Sequence, residues 1–204
     1  LILIFDECTS GFRESFGGIH LKYGINPDLA IFGKALGNGY AITAILGTRI
    51  VMEEAQKSFI SSTFWTERVG ATAALKTLEI MERDKTWETI TEIGKKIQAL
   101  WKDIANSHGL KIEISGIPSL STFKFPSENN LKYKTLITQE MLKKKFLASN
   151  TIYTTIAHKQ SFINEYSKEL EKIFKIISDC ENQRLDIDKL IIGPVCHSGF
   201  QRLN

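Results

Sequence analysis

Cysteine is scarce in this sequence, and no apolar stretch is long. Three cysteines in 204 residues, Cys8, Cys180 and Cys196, are odd in number and widely spaced. That pattern suits a reducing cytosol better than a disulfide framework. No two of them have metal-ligand spacing, and the four histidines do not cluster with them in sequence, so no metal site is expected. No apolar run approaches the roughly 20 residues of a membrane span. The apolar opening LILIF lacks the basic flank and cleavage site of a signal peptide. Charge of one sign is also missing. The net charge of +3 is too mild to argue for nucleic acid or an anionic membrane. The one lysine triplet, Lys143-Lys144-Lys145, reads as a solvated helix face. GKALGNG fails the P-loop pattern, because its lysine precedes the glycines instead of following them before Ser or Thr. No internal repeat or low-complexity segment appears.

What is present is an ordinary globular balance, 43% hydrophobic and 24% charged. The length suits one large domain or two small ones. The informative stretch runs from Leu1 to about Thr66. LILIF is a continuous apolar run followed at once by Asp6-Glu7. Such a run reads as a strand buried on both faces of a parallel sheet. Ligands of open α/β sheets sit at the carboxyl ends of the strands, where Asp6 stands. A carboxylate there can meet a cationic group such as a protonated pyridine nitrogen. Leu29-Ala30-Ile31-Phe32 repeats the design and ends in Gly33-Lys34, then Ala35-Leu36-Gly37-Asn38-Gly39. An amine at the mouth of a buried strand can attack a carbonyl and form a Schiff base. The glycines leave room for a flat molecule to approach the backbone.

These residues carry a resemblance. Leu1–Arg13 together with Pro27–Gly47 resembles the class III aminotransferases, pyridoxal phosphate (PLP) enzymes of fold type I. FISSTFWTERVGATAALKTLEIM looks most like the branch around glutamate semialdehyde aminomutase. The likeness covers nearly the whole chain but only the C-terminal half or so of such an enzyme. It implies that Lys34 holds PLP as a Schiff base and moves the proton between the substrate α-carbon and the cofactor. Asp6 would pair with the pyridinium nitrogen. Cys8 falls where the family usually has a valine or isoleucine packed on the ring face, a small departure. Thr63 matches a threonine that binds the cofactor phosphate of the neighbouring subunit, which implies a homodimer with shared sites. Read from the residues alone, Thr63 is a helix cap; the resemblance favours phosphate binding, and the two uses are compatible. Arg13 is expected to pair with a nearby carboxylate such as Glu7.

Because the chain opens inside a strand, an N-terminal part is expected upstream. By the resemblance, that part would supply the turn and helix that grip the phosphate, the aromatic residue stacked on the ring, and much of the substrate pocket.

Further along, Ala41–Leu46 reads as a third strand and Arg49–Lys57 as a short helix. A helix follows from Thr66-Glu67-Arg68, with Ala71, Ala74, Leu75, Leu78 and Met81 at apolar spacing. Thr86 to about Ser107 is a long amphipathic helix carrying Ile90, Ile93, Ile97, Leu100, Trp101 and Ile104 on one face, closed by Gly109. The domain boundary is placed at Lys85/Thr86: residues 1–85 belong to a large PLP-binding domain, and 86–204 form a linking helix and a small α+β domain. In the latter, Lys111–Ser115 and Ser119–Phe125 read as a hairpin, Thr135–Ser149 as a helix with Leu136, Met141, Leu142 and Phe146 inward, Thr151–Ile156 as a strand and Phe162–Ser178 as a helix. His158 reads as a local hydrogen-bonding residue, and Cys196-His197 as no catalytic pair, since adjacent residues in an extended chain point apart.

The expected architecture is α/β, the C-terminal part of a fold type I PLP-dependent transferase. The expected function is PLP-dependent amino-group transfer, by a transaminase or an aminomutase, on a small amino acid, amino aldehyde or amino sugar. Two alternatives stand beside it. One is an ω-amino acid:2-oxo acid aminotransferase. The other is a non-catalytic fragment lacking the N-terminal half of the site.

Overall fold

The computed structural model describes residues 1–61, 63 and 66–199. The chain forms two compact units, Leu1–Thr91 and Glu92–Asn204. The division falls within a long helix.

The first unit is built on a three-stranded sheet in the order β1-β2-β3. β1 (Ile4–Asp6) runs parallel to β2 (Leu29–Phe32), with Asp6 level with Ile31. β3 (Ala44–Gly47) closes back antiparallel on β2. The register of β1 is locked at its start, where the Asp28 carboxylate accepts from the Leu3 amide at 2.8 Å and the amides of Asp28 and Leu29 both donate to the Leu3 carbonyl. β2 is the buried centre, with Ala30 and Phe32 covered and Leu36 and Ala74 packed near them. β1 takes in only the last two residues of the apolar run Leu1–Phe5, and Ile4 is 52% exposed. The expected burial on both faces is not met within this chain. Among the described residues β1 has a single neighbour, β2, so one edge and its apolar side chains stay uncovered.

After β3 come α1 (Arg49–Glu53) and a 3₁₀ turn, then α2 (Val69–Asp84). Glu67 caps α2: its carboxylate accepts from the amides of Val69 and Gly70, satisfying donors that a helix start leaves unpaired. The apolar stripe expected on α2 is narrower than its spacing suggests. Gly70 and Ala74 are buried, while Ala71 and Leu75 are exposed. Lys85, in the left-handed region at φ 45°, reverses the chain into α3 (Thr86–Ser107). Both ends of α3 match the sequence reading.

The second unit holds the larger core. β4 (Glu113–Ile117), β5 (Leu120–Lys124) and β6 (Thr151–Tyr153) form an antiparallel sheet covered by α3, α4 (Asn130–Lys143) and α5 (Gln160–Glu181). The hairpin turns at Pro118-Ser119, so Gly116 and Ile117 belong to the strand. A Cβ added at Gly94 would sit 1.9 Å from the Pro118 carbonyl oxygen. Glycine there is what lets α3 lie against this turn. α4 starts five residues before Thr135 and buries Tyr133, Leu136, Ile137 and Met141. That phase turns Leu142 outward, to 56% exposure, against the expectation of an inward residue. His158 closes the turn into α5 by accepting from the Thr155 amide on Nδ1 at 3.0 Å, the local role read for it. Burial holds this imidazole below its ordinary pKa, which keeps that nitrogen an acceptor.

Aromatic rings dominate this core. Trp101 and Phe123 meet at 4.7 Å between centroids, Phe123 and Phe174 at 5.7 Å, and Phe125 and Tyr133 at 5.5 Å. Each such pair adds about 0.5–1.5 kcal/mol beyond the area it buries. The fully buried Trp101 indole N–H donates to the Tyr166 hydroxyl at 2.9 Å. Substituting Tyr166→Phe strands that donor without water and should cost about 1–3 kcal/mol. Phe123→Ala, which opens a cavity, should cost about 3–5 kcal/mol. Urea unfolding of the whole chain checks both, and equal costs would show that the hydroxyl contributes as much as the ring, against this expectation.

Candidate active site

The parallel pairing of β1 with β2 puts their carboxyl ends side by side. Asp6 ends β1. Two residues after β2, Lys34 leaves the sheet on the same side. Both side chains are exposed. Lys34 has a φ of 34°, a left-handed conformation that costs a residue with a Cβ about 1–2 kcal/mol. The turn that imposes it is closed by hydrogen bonds from the Leu36 amide to the Gly33 carbonyl at 2.8 Å and from the Asn38 amide to the Lys34 carbonyl at 3.0 Å.

The carboxylate of Asp6 is held ionised. The Cys8 amide donates to it at 3.0 Å, and the Cys8 thiol also donates to it. These two bonds, with the nearby Lys34 ammonium, lower its pKa, and the same thiol bond raises that of Cys8. Cys8 is half-buried and lies over Gly33, where an added Cβ would come within 3.4 Å of its sulfur. The Lys34 amine meets the hydroxyl of Thr9, a residue that the sequence reading passed over. Its one signal was position: a hydroxyl just past the carboxyl end of a strand, where ligands gather.

Behind the exposed pair lies a buried carboxylate. Glu7 is 1% exposed. It accepts from the Ser10 hydroxyl, from the His20 amide at 3.1 Å and from His20 Nδ1 at 3.0 Å. The Arg13–Glu7 pair expected from sequence does not form. Arg13 Nε instead donates to the Thr9 carbonyl at 2.8 Å, because Glu7 is turned inward to His20. Gly11 lets the loop fold this tightly: an added Cβ would lie 2.8 Å from the Phe32 ring.

Thr63 is exposed, and no hydrogen bond among the described residues joins it to Asp6, Cys8 or Lys34. Its neighbours Ser62, Phe64 and Trp65 lie outside the described residues. Among the described residues no group of His, Cys, Asp and Glu could hold a metal. No helix there is long and apolar enough to cross a membrane.

The class-III aminotransferase family model matches residues 1–180. The chain belongs to the class-III aminotransferases. The cofactor of this family is pyridoxal phosphate. A 3-aminobutyryl-CoA aminotransferase of Cloacimonas acidaminovorans is 40% identical over 139 residues, 68% of this chain and 34% of the relative. A glutamate-1-semialdehyde 2,1-aminomutase of Methanocaldococcus jannaschii is 26% identical over 194 residues, 86% of this chain and 45% of the relative. The chain thus spans about a third to a half of the length of these curated relatives.

Among solved structures, the FumI protein of Sphingopyxis sp. MTA144, in its PLP internal aldimine form, superimposes with a TM-score of 0.83 at 23% identity. It covers 93% of this chain and 46% of its own. An omega-transaminase of Sphaerobacter thermophilus gives a TM-score of 0.77 at 17% identity, over 86% of this chain and 44% of its own. The fold of this class-III aminotransferase chain is therefore the expected one, part of a PLP-dependent transferase. The residues at the strand ends fit the cofactor's chemistry: a carboxylate held ionised by two hydrogen bonds, and an amine two residues past the end of the adjacent strand.

Glu7 makes the loop behind Asp6 sensitive to acid. Burial raises its pKa, but the bonds from Ser10, Ile19 and His20 outweigh burial and leave it lowered. A lowered carboxylate contributes stability above the ordinary value of 4.5, lost as the pH falls through the folded value. Glu7→Gln should lose about 1–3 kcal/mol at pH 7 and should flatten this acid dependence. Urea midpoints at neutral and acid pH check it; an unchanged acid dependence would mean that other carboxylates set it.

Proposed function

We propose that this chain supplies the lysine and carboxylate of a PLP-dependent amino-transfer site. The observation that carries the reading is the placement of Asp6 and Lys34 at the carboxyl ends of adjacent parallel strands. When bound, PLP draws electron density from the substrate α-carbon. Asp6, kept ionised by Cys8, would pair with the pyridine nitrogen and keep it protonated. Lys34 would hold the cofactor through its amine and, when free, would take and return a proton at the substrate α-carbon as a general base and acid. Cys8 would pack against the ring face. Thr63 would bind the cofactor phosphate of a neighbouring subunit, in a working homodimer. The remaining phosphate and ring contacts come from sequence outside this chain, consistent with its share of its relatives' length. Three free cysteines suit a cytosolic location.

The substrate is a small molecule bearing a primary amine. The 40% identity to an aminotransferase favours transfer between two molecules, from an amine to a 2-oxo acid. The longer match to aminomutases supports internal exchange on an amino aldehyde as the second reading. A panel of amines with 2-oxoglutarate or pyruvate, set against an amino aldehyde alone, separates the two.

Borohydride treatment of the PLP-loaded protein should fix the cofactor on Lys34, read by peptide mass spectrometry. Lys34→Ala should lower turnover by at least about 10²–10⁴-fold while PLP is still bound. A label on another lysine would overturn the assignment. Failure to bind PLP in the whole homodimer would favour a non-catalytic chain.

A further inference from the structure

We infer that Thr9 is the positioning residue for the Lys34 amine, a step that rests on the reading of Lys34 as the covalent lysine. The Thr9 hydroxyl lies 2.5 Å from Lys34 Nζ, across 25 residues of sequence. Both partners are anchored independently of this bond. Thr9 is held through its carbonyl by the Arg13 guanidinium at 2.8 Å. It sits in the loop that Glu7 ties down through Ser10 and His20. Lys34 is set by its left-handed backbone and the turn closed by Leu36 and Asn38. Two fixed backbones thus present one hydroxyl to one amine at the sheet edge where Asp6 ends its strand. Lysine side chains are long and rotamer-rich, and an exposed one would otherwise sweep a wide volume.

The hydroxyl suits both states of the amine. It accepts a hydrogen bond from the ammonium and can donate one to the neutral nitrogen. With the Lys34 nitrogen engaged by the cofactor, this contact would be given up. When the Lys34 amine is free, the Thr9 hydroxyl would give its nitrogen a fixed resting place at the sheet edge where Asp6 ends its strand. From there the amine would take the proton of the substrate α-carbon, becoming an ammonium, and give it back. No bond to Thr9 is made or broken. Its role is to shorten the search of the amine for its next partner, an orientation effect that acts on turnover and not on substrate binding.

The test uses Thr9→Val, which keeps the shape and removes the hydroxyl, and Thr9→Ser, which restores it. In the cofactor-free whole chain, lysines are alkylated with formaldehyde and cyanoborohydride and each site is quantified by peptide mass spectrometry. Exposed lysines such as Lys76 and Lys95 serve as internal standards. Releasing the amine should raise the rate at Lys34 relative to those standards by about two- to tenfold in Thr9→Val and leave it near the starting rate in Thr9→Ser. In the PLP-loaded homodimer, Thr9→Val should lower kcat by about ten- to a hundredfold with KM unchanged, and Thr9→Ser should recover it. An unchanged Lys34 alkylation rate in Thr9→Val overturns the docking of the amine. A fall in KM-dependent binding with kcat intact overturns the positioning role. If borohydride labels a lysine other than Lys34 while the alkylation shift is still seen, the covalent assignment has failed and the Thr9–Lys34 contact has not.

Discussion

The parallel register of β1 against β2 is the constraint on which the site depends. Side chains of a strand alternate faces, so a slip of one residue would turn Asp6 to the opposite side of the sheet. The slip is blocked at the start of the strand, where Asp28 and Leu3 exchange backbone and side-chain hydrogen bonds. It is blocked again at the end, where the Glu7 amide donates to the Ile31 carbonyl at 2.8 Å. A parallel pair needs a crossover between its strands. Here the crossover carries the loop that Glu7 organises, so the segment that connects the strands also anchors Thr9. Geometry and chemistry share the same connecting segment, residues 7–28.

Glu7 and Asp6 are adjacent in sequence and opposite in use. Asp6 faces outward, keeps its charge through two bonds from Cys8, and remains available to a cation. Glu7 faces inward and spends its charge on three donors. A buried carboxylate so fully partnered is costly to break and specifies one arrangement of its loop. The strand's alternation makes this division possible, one acid for the fold and one for the ligand side. The second unit relies instead on rings. Its packed aromatic cluster, with the Trp101–Tyr166 bond at its centre, fixes α3 and α5 on the sheet.

Much of the fold was legible where periodicity is strong. α3 was read to its ends because its apolar spacing is sustained and Gly109 follows it. α4 was read late, since Asn130, Leu131 and Lys132 look like a loop until Tyr133 is seen to set the phase. The exposure of Leu142 follows from the same missed phase. The ends of β1 and β2 were legible because apolar runs stop abruptly at Asp6 and Gly33. What sequence could not show were contacts made by closure across the fold. Thr9 meets Lys34, and Glu7 meets His20, only after the crossover has folded. Arg13 was assigned to Glu7 on proximity in sequence, but His20 reaches Glu7 from 13 residues away. Thr63 has its neighbours outside the described residues, and nothing local in its sequence separates a cap from an anion contact.

The left-handed backbone of Lys34 has an evolutionary corollary. Glycine or asparagine would sit there with less strain, so the position carries a standing pressure toward residues that have no amine. A library of variants screened only for thermal resistance should drift away from lysine at 34. One screened for amine chemistry should hold it, at the expense of the turn. Ranking the two selections at that single codon would expose the conflict between robustness and reactivity that the backbone angle has written into the chain.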